Sequence, residues 1–216
     1  MQDSGISKRR KSQRESGSAE YVARRKEILQ AAAEIFKKKG YGGTSVNDIA
    51  QTLNLDRATL YYYSGSKTEL YQEIVQTAVE SNVEIAELIA AGDLAPLQKL
   101  QKLVSDLIGN FKNQYPFMQA YWQEDMARVK STDTKWAKTM TKLARRFDDI
   151  VIAIVAEGQE KGLIRKDGEA RLLAYAVIGL LNSVHRWFKP EGGYGAQHIS
   201  DIFGAVLIDG MKSEGS

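Results

Sequence analysis

A chain of 216 residues is long enough to bury a sizeable core, and 43% hydrophobic and 26% charged residues are ordinary for a globular protein. It has no cysteine, which excludes disulfides, thiolate metal sites and a cysteine nucleophile, and suits a reducing cytosol. The net charge of +3 is uneven, since residues 1–67 carry 13 Lys and Arg against 7 Asp and Glu, whereas the remainder carries 17 against 20. A basic N-terminal third is typical of a head that binds a polyanion, although a solvated basic surface gives the same count.

The first 19 residues are polar and basic, with five cations between residues 8 and 14. Such a segment buries too little apolar surface to offset its ordering entropy, so we expect residues 1–19 to form a disordered arm. The arm either reaches into a minor groove or only solubilises the chain. It has no signal-peptide pattern, and no apolar run approaches a membrane span, so we expect a cytoplasmic protein without a membrane partner.

The first predicted helix covers residues 20–39, where apolar residues recur at helical spacing from Ile28 to Phe36. Gly40 is expected to end it. Residues 41–43 are expected to form a short turn that leads into the next predicted helix.

The stretch 44–67 predicts two short helices joined by a tight turn. Ser45 followed three residues later by Asp48 is a capping box for the first helix. Asn54 can adopt the left-handed conformation that ends this helix, and Asp56 is a good cap for the second. Two such helices are typical of a helix-turn-helix that lays its second member in the DNA major groove.

Three groups of residues in this region form a spaced motif. They are Thr44-Ser45-Val46-x-Asp48-Ile49-Ala50, Thr59-Leu60-Tyr61-Tyr62 and Ser66-Lys67-x-Glu69-Leu70. Together they resemble the N-terminal domain of TetR-family transcriptional regulators, from about Glu27 to Leu70. The chain departs from the usual family pattern at Tyr63-Ser64, where His-Phe is usual, and at Asn54, where Gly is usual.

This resemblance implies an all-α, TetR-like fold of about nine helices in two domains. An N-terminal three-helix domain with the helix-turn-helix would bind DNA through residues 20–67. A C-terminal helical domain over residues 68–216 would bind a ligand and form the dimer.

The resemblance also implies which side chains face the duplex. They are Ser45, Asn47, Arg57, Thr59, Tyr61, Tyr62, Tyr63 and Lys67. Their chemistry agrees, because hydroxyl and ammonium groups bond phosphate oxygens, whereas Asn and Arg make bidentate contacts with adenine and guanine edges. For the three tyrosines the alternative is packing between helices, and we expect at least one of them in the core.

Beyond Lys67 the apolar residues keep a helical spacing, with no strand alternation and no internal repeat. The predicted helices cover 68–90, 94–113, 117–130, 134–161, 169–188 and 196–211. Gly162 is expected to end the helix that precedes it. The segment 169–188 is apolar almost all round, which predicts burial on both of its sides.

The last two predicted helices are the expected dimer surface. The resemblance implies that they pair with a partner's copies as a four-helix bundle, and Gly179 and Ser183, four residues apart, would allow close approach. A homodimer would present two recognition helices about 34 Å apart to a two-fold symmetric operator. The alternative is that the segment is the core helix of a monomer.

The middle helices offer a candidate effector pocket of aromatic, Met and aliphatic side chains with two polar handles. These residues are Phe111, Met118, Tyr121, Trp122, Phe147, Ile150 and Ile154, with Asn182 and Arg186 as the handles. The same stripe also suits a simple core. The segments 122–124 and 185–193 resemble a TetR branch that responds to acyl-CoA thioesters, which implies an acyl-CoA or another lipophilic small molecule as effector.

Catalysis finds little support in the sequence. The only histidines, His185 and His198, form no metal-spaced cluster, and there is no nucleophile elbow or P-loop. We therefore expect no enzyme, metal or cofactor, but a DNA-binding transcriptional repressor released by a small molecule. The alternatives are a TetR-like protein that binds DNA or a partner constitutively, and an uncharacterised helical enzyme.

Overall fold

The structure is a computed structural model that describes residues 18–113, 134–189 and 191–213. Within these ranges the chain forms eight α-helices and no β-strand. In chain order the helices are α1 (Ala19–Gly43), α2 (Val46–Thr52), α3 (Arg57–Ser64), α4 (Lys67–Ala91), α5 (Pro96–Asn113), α6 (Thr134–Glu160), α7 (Ala170–Val184) and α8 (Ala196–Met211). None of the described helices is both long enough and apolar enough to cross a bilayer.

The all-α fold predicted from the sequence is confirmed. The predicted helix over 117–130, and the predicted arm apart from its last two residues, lie outside the described residues. Gly40 leaves helical geometry as predicted, with φ 71° and ψ 164°, but α1 resumes beyond it as far as Gly43. A positive φ suits glycine because it has no Cβ.

Two boundaries in the body differ from the prediction by two residues or more. α5 begins at Pro96 rather than at residue 94, because proline lacks the amide hydrogen that an interior helical position needs and fits the first turn. α7 ends at Val184 rather than at residue 188, since the amides of Arg186 and Trp187 bond carbonyls three residues back. That tighter turn closes the helix.

The chain divides into two compact units, the first ending at Thr77 and the second beginning at Ala78. The division falls inside α4, and the functional boundary placed after Lys67 stays a prediction. The first unit has a core of large, fully buried side chains, each contributing roughly 1.5–3 kcal/mol by leaving water. They are Ile28, Phe36, Ile49, Leu60, Leu70, Tyr71 and Ile74.

In the second unit α5 packs mainly on α8, and α7 packs on α6. Its most deeply buried large side chains are aliphatic, and they are Leu100, Leu103, Val104, Val151, Val155 and Ile164. Lys99 is buried with them, and its Nζ donates to the carbonyl oxygen of Ala90 at 2.9 Å and lies 3.5 Å from the Glu157 carboxylate. This ammonium satisfies a carbonyl at the end of α4 that would otherwise lack a helical partner.

Candidate nucleic-acid interface

The predicted capping box at the start of α2 is confirmed. Ser45 Oγ accepts a hydrogen bond from the Asp48 amide at 3.1 Å, and the Ser45 amide donates to the Asp48 carboxylate at 2.7 Å. Lys39, near the end of α1, also donates to this carboxylate at 2.6 Å. These donors, Lys39 first, hold the pKa of Asp48 well below its usual range, so the carboxylate stays charged and ties α1 to α2.

The turn and the start of α3 also form as predicted. Asn54 adopts the left-handed conformation with φ 51°, and the Leu55 amide donates to the Ala50 carbonyl at 2.9 Å. Asp56 caps α3, because its carboxylate accepts the Thr59 amide at 2.8 Å. The first unit therefore contains the two short helices and the tight turn of a helix-turn-helix.

The eight side chains predicted to face DNA differ in exposure. Ser45, Asn47, Arg57 and Tyr61 are exposed, whereas Thr59, Tyr62, Tyr63 and Lys67 are half-buried. On α3 the Arg57 guanidinium lies 5.9 Å from the ring centroid of Tyr61, one turn further on. The open face of α3 thus carries a cation and a phenol hydroxyl close together.

Two of the predicted hydroxyls already donate hydrogen bonds inside the head. Ser45 Oγ donates to the carboxylate of Asp48, and Thr59 Oγ1 donates to that of Asp56 at 2.7 Å. A hydroxyl has one donor hydrogen, so each would have to leave its carboxylate to donate to a phosphate. In this structure Ser45 and Thr59 fix the starts of two helices, and their DNA contacts stay predictions.

The three consecutive tyrosines of α3 do not share one environment. The rings of Tyr62 and Tyr63 lie 5.9 Å and 5.1 Å from that of Tyr21, a buried residue of α1. Tyr61 is the exposed member of the three. The packing alternative therefore describes Tyr62 and Tyr63, and the outward position belongs to Tyr61.

Lys67, predicted as a phosphate contact, is anchored inside the head. Its Nζ donates to the carbonyl oxygens of Tyr41 and Thr44, both at 2.8 Å, and lies 4.2 Å from the ring centroid of Tyr41. Two of the three ammonium hydrogens therefore hold the turn before α2 against the start of α4. One hydrogen is left for the predicted phosphate contact.

Arg25 is the residue of this unit that sequence reasoning missed. Its side chain is almost fully buried and bonds the Glu73 carboxylate and the Tyr63 carbonyl. The signal in the sequence was its place on α1, where it lies on the buried stripe between Tyr21 and Ile28. A charged residue within an apolar stripe indicates a buried ion pair.

The predicted effector pocket is described only in part. Met118, Tyr121 and Trp122 lie outside the described residues; Phe111, Ile150 and Ile154 are buried, and Phe147 is half-buried. The Phe111 ring packs against His185 and Phe188, with centroid distances of 4.3 Å and 5.5 Å. Burial lowers the pKa of His185 to about 4, so this imidazole is neutral at pH 7.

The two predicted polar handles are open to solvent. Asn182 and Arg186 are exposed, whereas Val177, Leu181 and Val184 form the buried side of α7. Their role as polar handles of the pocket stays a prediction. Because α7 is apolar almost all round, its sequence pattern could not show which side faces inward.

An open groove of about 1230 Å³ separates α4 from α6. The α6 wall carries the cations Lys138, Lys142 and Arg145, and the α4 wall carries acidic residues that include Glu84. Arg146 Nε lies 2.8 Å from the carboxylate of Glu87 on the opposite wall. None of the predicted pocket residues that the structure describes lines this groove. In the described ranges, no group of three or more His, Asp and Glu side chains is placed to hold a metal ion.

Comparison with known proteins covers nearly all of the described chain. A family model described as "Bacterial regulatory proteins, tetR family" matches residues 28–74. A second, described as "Tetracyclin repressor-like, C-terminal domain", matches residues 93–211. The two matches fall on the helix-turn-helix unit and on the helical body respectively.

Relatives of known structure and role share this organisation. The HTH-type transcriptional repressor KstR2 of Mycobacterium tuberculosis is 23% identical over 193 residues, 89% of this chain and 95% of the repressor. The crystal structure of the TetR-family regulator PfmR from Thermus thermophilus has a TM-score of 0.77 and 32% identity, covering 86% of this chain and 99% of PfmR. The structure of AibR in complex with isovaleryl coenzyme A and operator DNA has a TM-score of 0.72 and 21% identity, covering 86% and 98%. The chain therefore belongs to the TetR family of bacterial regulatory proteins and is a DNA-binding transcriptional regulator.

Proposed function

We propose that the protein is a repressor that binds a two-fold symmetric operator as a homodimer and leaves it when an acyl-CoA thioester binds the helical body. The observation that carries the proposal is the pair of open faces on the protomer. One, on α2 and α3, is polar and cationic; the other, on α7 and α8, is apolar.

The apolar face supports the homodimer. Leu172 and Tyr175 on α7 are 63% and 45% exposed, and Ile202 and Val206 on α8 are 51% and 62% exposed. A Cβ added at Gly179 would meet no atom within 4 Å, so the backbone of α7 is open to a close neighbour. Large apolar side chains grouped on a protein surface favour burial against a partner, and a second copy supplies a matching surface.

The polar face supports operator binding. Asn47 and Arg57 are exposed on adjacent short helices and have the chemistry to read adenine and guanine edges. Tyr61 and the remaining hydrogen of Lys67 suit phosphate oxygens, which set position rather than sequence preference. We therefore assign base reading to Asn47 and Arg57, and positioning on the backbone to Tyr61 and Lys67.

For the effector, the likeness to AibR favours an acyl-CoA, because that relative was solved with isovaleryl coenzyme A. The buried side chains of Phe111, Ile150 and Ile154 suit the acyl chain. Asn182 and Arg186 are exposed on α7, whereas Lys142 and Arg145 line the groove on α6, so we give the role of phosphate partners to Lys142 and Arg145. Cationic side chains of this kind form charge-assisted hydrogen bonds with phosphate oxygens.

Release would follow from a shift between two conformations of the dimer. The effector needs only to bind the form with separated recognition helices better than the operator-bound form. A hundredfold loss of operator affinity corresponds to about 2.7 kcal/mol of differential binding.

The test begins with the full-length chain and a random duplex library, from which the protein selects its own operator. A mobility-shift assay on the selected duplex is then repeated with a panel of short, long, branched and aromatic acyl-CoAs. Release by one class of acyl-CoA supports the proposal, whereas selection of a duplex without any ligand response supports a constitutive DNA-binding factor.

A charge-reversal pair locates the effector site. Lys142→Glu should weaken acyl-CoA binding measured by calorimetry while leaving operator affinity within about twofold, since no phosphate of the duplex is assigned to Lys142. Lys166→Glu, an exposed cation in the loop between α6 and α7, is the matched control. Equal effects of the two substitutions would remove the groove from the proposal.

A further inference from the structure

We infer that Arg25 and Glu73 are a positioning pair, which holds α3 in the orientation that reads DNA although neither residue touches the duplex. The inference rests on the proposed role of α3 as the recognition helix. It concerns how that helix is held, whereas the proposed function concerns what the helix contacts.

The geometry centres on one guanidinium. Nε of Arg25 donates to Oε1 of Glu73 at 2.8 Å, and Nη2 donates to Oε2, so two parallel bonds join α1 to α4. Nη1 donates to the carbonyl oxygen of Tyr63, in the last turn of α3. The Arg25 residue is only 9% exposed and Glu73 is half-buried, so this junction of three helices is partly shielded from water. Bidentate bonds of this kind fix direction as well as distance.

The bond to Tyr63 matters because α3 is short. It has eight residues, and its last carbonyls have no partner within the helix. A helix of this length is not stable alone in water, so its orientation depends on what holds its two ends. Asp56 holds the first turn through the Thr59 amide, and Arg25 holds the last turn with a cation where the helix dipole favours one.

A second residue of α1 supports the same end of α3. Tyr21 lies one turn before Arg25, is 5% exposed, and packs against the rings of Tyr62 and Tyr63. Tyr21 and Arg25 therefore both support the last turn of α3 from α1. Ring contacts limit sideways movement of α3, while the guanidinium fixes its last turn along the helix axis.

Lysine cannot replace arginine in this junction. An ammonium is a point charge on a flexible stem, and it cannot give two parallel bonds to a carboxylate while a third reaches the Tyr63 carbonyl at a fixed angle. Glu73→Gln, in turn, removes the charge of the acceptor and leaves the guanidinium poorly paired. Both changes keep side-chain size close to the original, so each loosens the junction with little change in packing.

The experiment compares Arg25→Lys and Glu73→Gln with the same two substitutions in the neighbouring pair Arg24 and Glu27. That control pair lies on α1 beside Arg25 and has a 2.6 Å ion pair, in which Arg24 is half-buried and Glu27 is exposed. Each full-length variant is titrated with the duplex selected by the wild type and with a scrambled duplex, at a temperature where circular dichroism shows it folded. Melting temperature and the salt dependence of binding are measured in parallel.

We expect both junction variants to lose roughly tenfold in affinity for the selected duplex and to stay within about twofold on the scrambled one, so that the specificity ratio falls. The Arg24 and Glu27 variants should stay within about twofold on both duplexes, as exposed ion pairs contribute little.

Several results would overturn the inference. A lower melting temperature with an unchanged specificity ratio would make the pair a stabilising contact only, as would failure of both junction variants to fold. Equal losses on both duplexes, with a salt slope smaller by about one, would make Arg25 a phosphate contact. If the wild type selects no duplex, the proposed function fails and takes this inference with it; if it selects one and Arg25→Lys binds it normally, only the inference fails.

Discussion

The exposed faces of α3 and α7 are both open in the protomer, and they differ in chemistry and in how they are held. α3 presents Arg57 and Tyr61 to water and is fixed by bonds at its two ends. α7 presents Leu172 and Tyr175 and is fixed by the apolar residues of its opposite side. A polar face held by directional bonds suits a partner read by hydrogen bonds, whereas an apolar face suits a partner that excludes water.

Because of this difference, we expect substitutions on the two faces to have different effects on dimerisation and DNA binding. Disturbing the apolar face should separate the protomers and weaken binding to every sequence. Disturbing the polar face should alter which sequence is bound while the dimer stays intact.

The largest effect is expected from Val206→Glu on α8. A carboxylate at this exposed apolar position would have to be desolvated in the interface, so the dimer should dissociate. Losing the link between two heads should lower operator affinity at least about a hundredfold, because the second head no longer binds at high effective concentration. Sedimentation velocity and a mobility-shift assay measure the two consequences.

The control for that substitution is Leu88→Glu. Leu88 is 76% exposed and lies on α4, outside the face formed by α7 and α8. It should leave the protein dimeric with unchanged operator affinity. If instead Leu88→Glu dissociates the dimer and Val206→Glu does not, the interface is on another surface.

Next in size is Asn47→Ala on α2. Loss of a bidentate base contact should reduce discrimination at one operator position by about 1–3 kcal/mol, while non-specific binding is retained. Repeating the library selection with the variant measures this directly. Gln51→Ala, exposed one turn further along α2, should leave the selected sequence unchanged. A uniform loss of affinity across all sequences would show that Asn47 contacts the backbone instead.

The imidazole of His185 in the helical body offers a test by pH. Burial depresses the pKa of His185 to about 4, so between pH 6.5 and 4 the unfolded chain binds a proton that the folded chain does not. Stability should therefore fall as the pH is lowered, by roughly 2 kcal/mol between pH 7 and pH 5 from this group. His185→Phe should reduce the pH dependence by that amount in urea titrations, since Phe suits the neighbouring Phe111 and Phe188.

The other histidine provides the comparison for this measurement. His198 is exposed, and its replacement by Phe should leave the loss of stability between pH 7 and pH 5 in place. A wild-type pH dependence that survives in the His185 variant would show that other groups cause it.

The smallest effect is expected from replacing a glycine by alanine, either on the apolar face or outside it. A Cβ meets no atom within 4 Å at Gly109 on α5 or at Gly179 on α7. Gly109→Ala should stabilise the protein by up to about 1 kcal/mol through helix propensity. Gly179→Ala should instead weaken the dimer, because the added methyl group would separate two closely packed helices. Identical effects on the dimer dissociation constant would place Gly179 outside the interface.

The features that were predictable from sequence are those set by neighbouring residues. Ser45 and Asp48 are three residues apart, and their capping box depends on nothing else in the fold. Asn54 adopts the left-handed conformation expected of it, with φ 51°, and Gly162, which was expected to end its helix, lies just beyond α6 with φ 70°. Signals of this kind are local, so tertiary packing did not override them.

The features that escaped prediction join distant residues. Arg25 meets Glu73 across 48 positions, and Lys67 bonds carbonyls 23 and 26 positions back. Every residue has a backbone carbonyl, so the sequence does not indicate which carbonyls a lysine bonds. The anchoring of Lys67 could therefore not be predicted. Asn182 and Arg186 were grouped with the pocket because a helix that is apolar on every side does not reveal which side faces inward.

The junction at the end of α3 also bears on attempts to rewire gene circuits. A recognition segment that is transplanted without Arg25, Glu73 and Tyr21 would lose the contacts that hold the last turn of α3. Chimaeric regulators built from this chain should therefore exchange the opening turns of α1 and α4 together with the segment proposed to meet the groove.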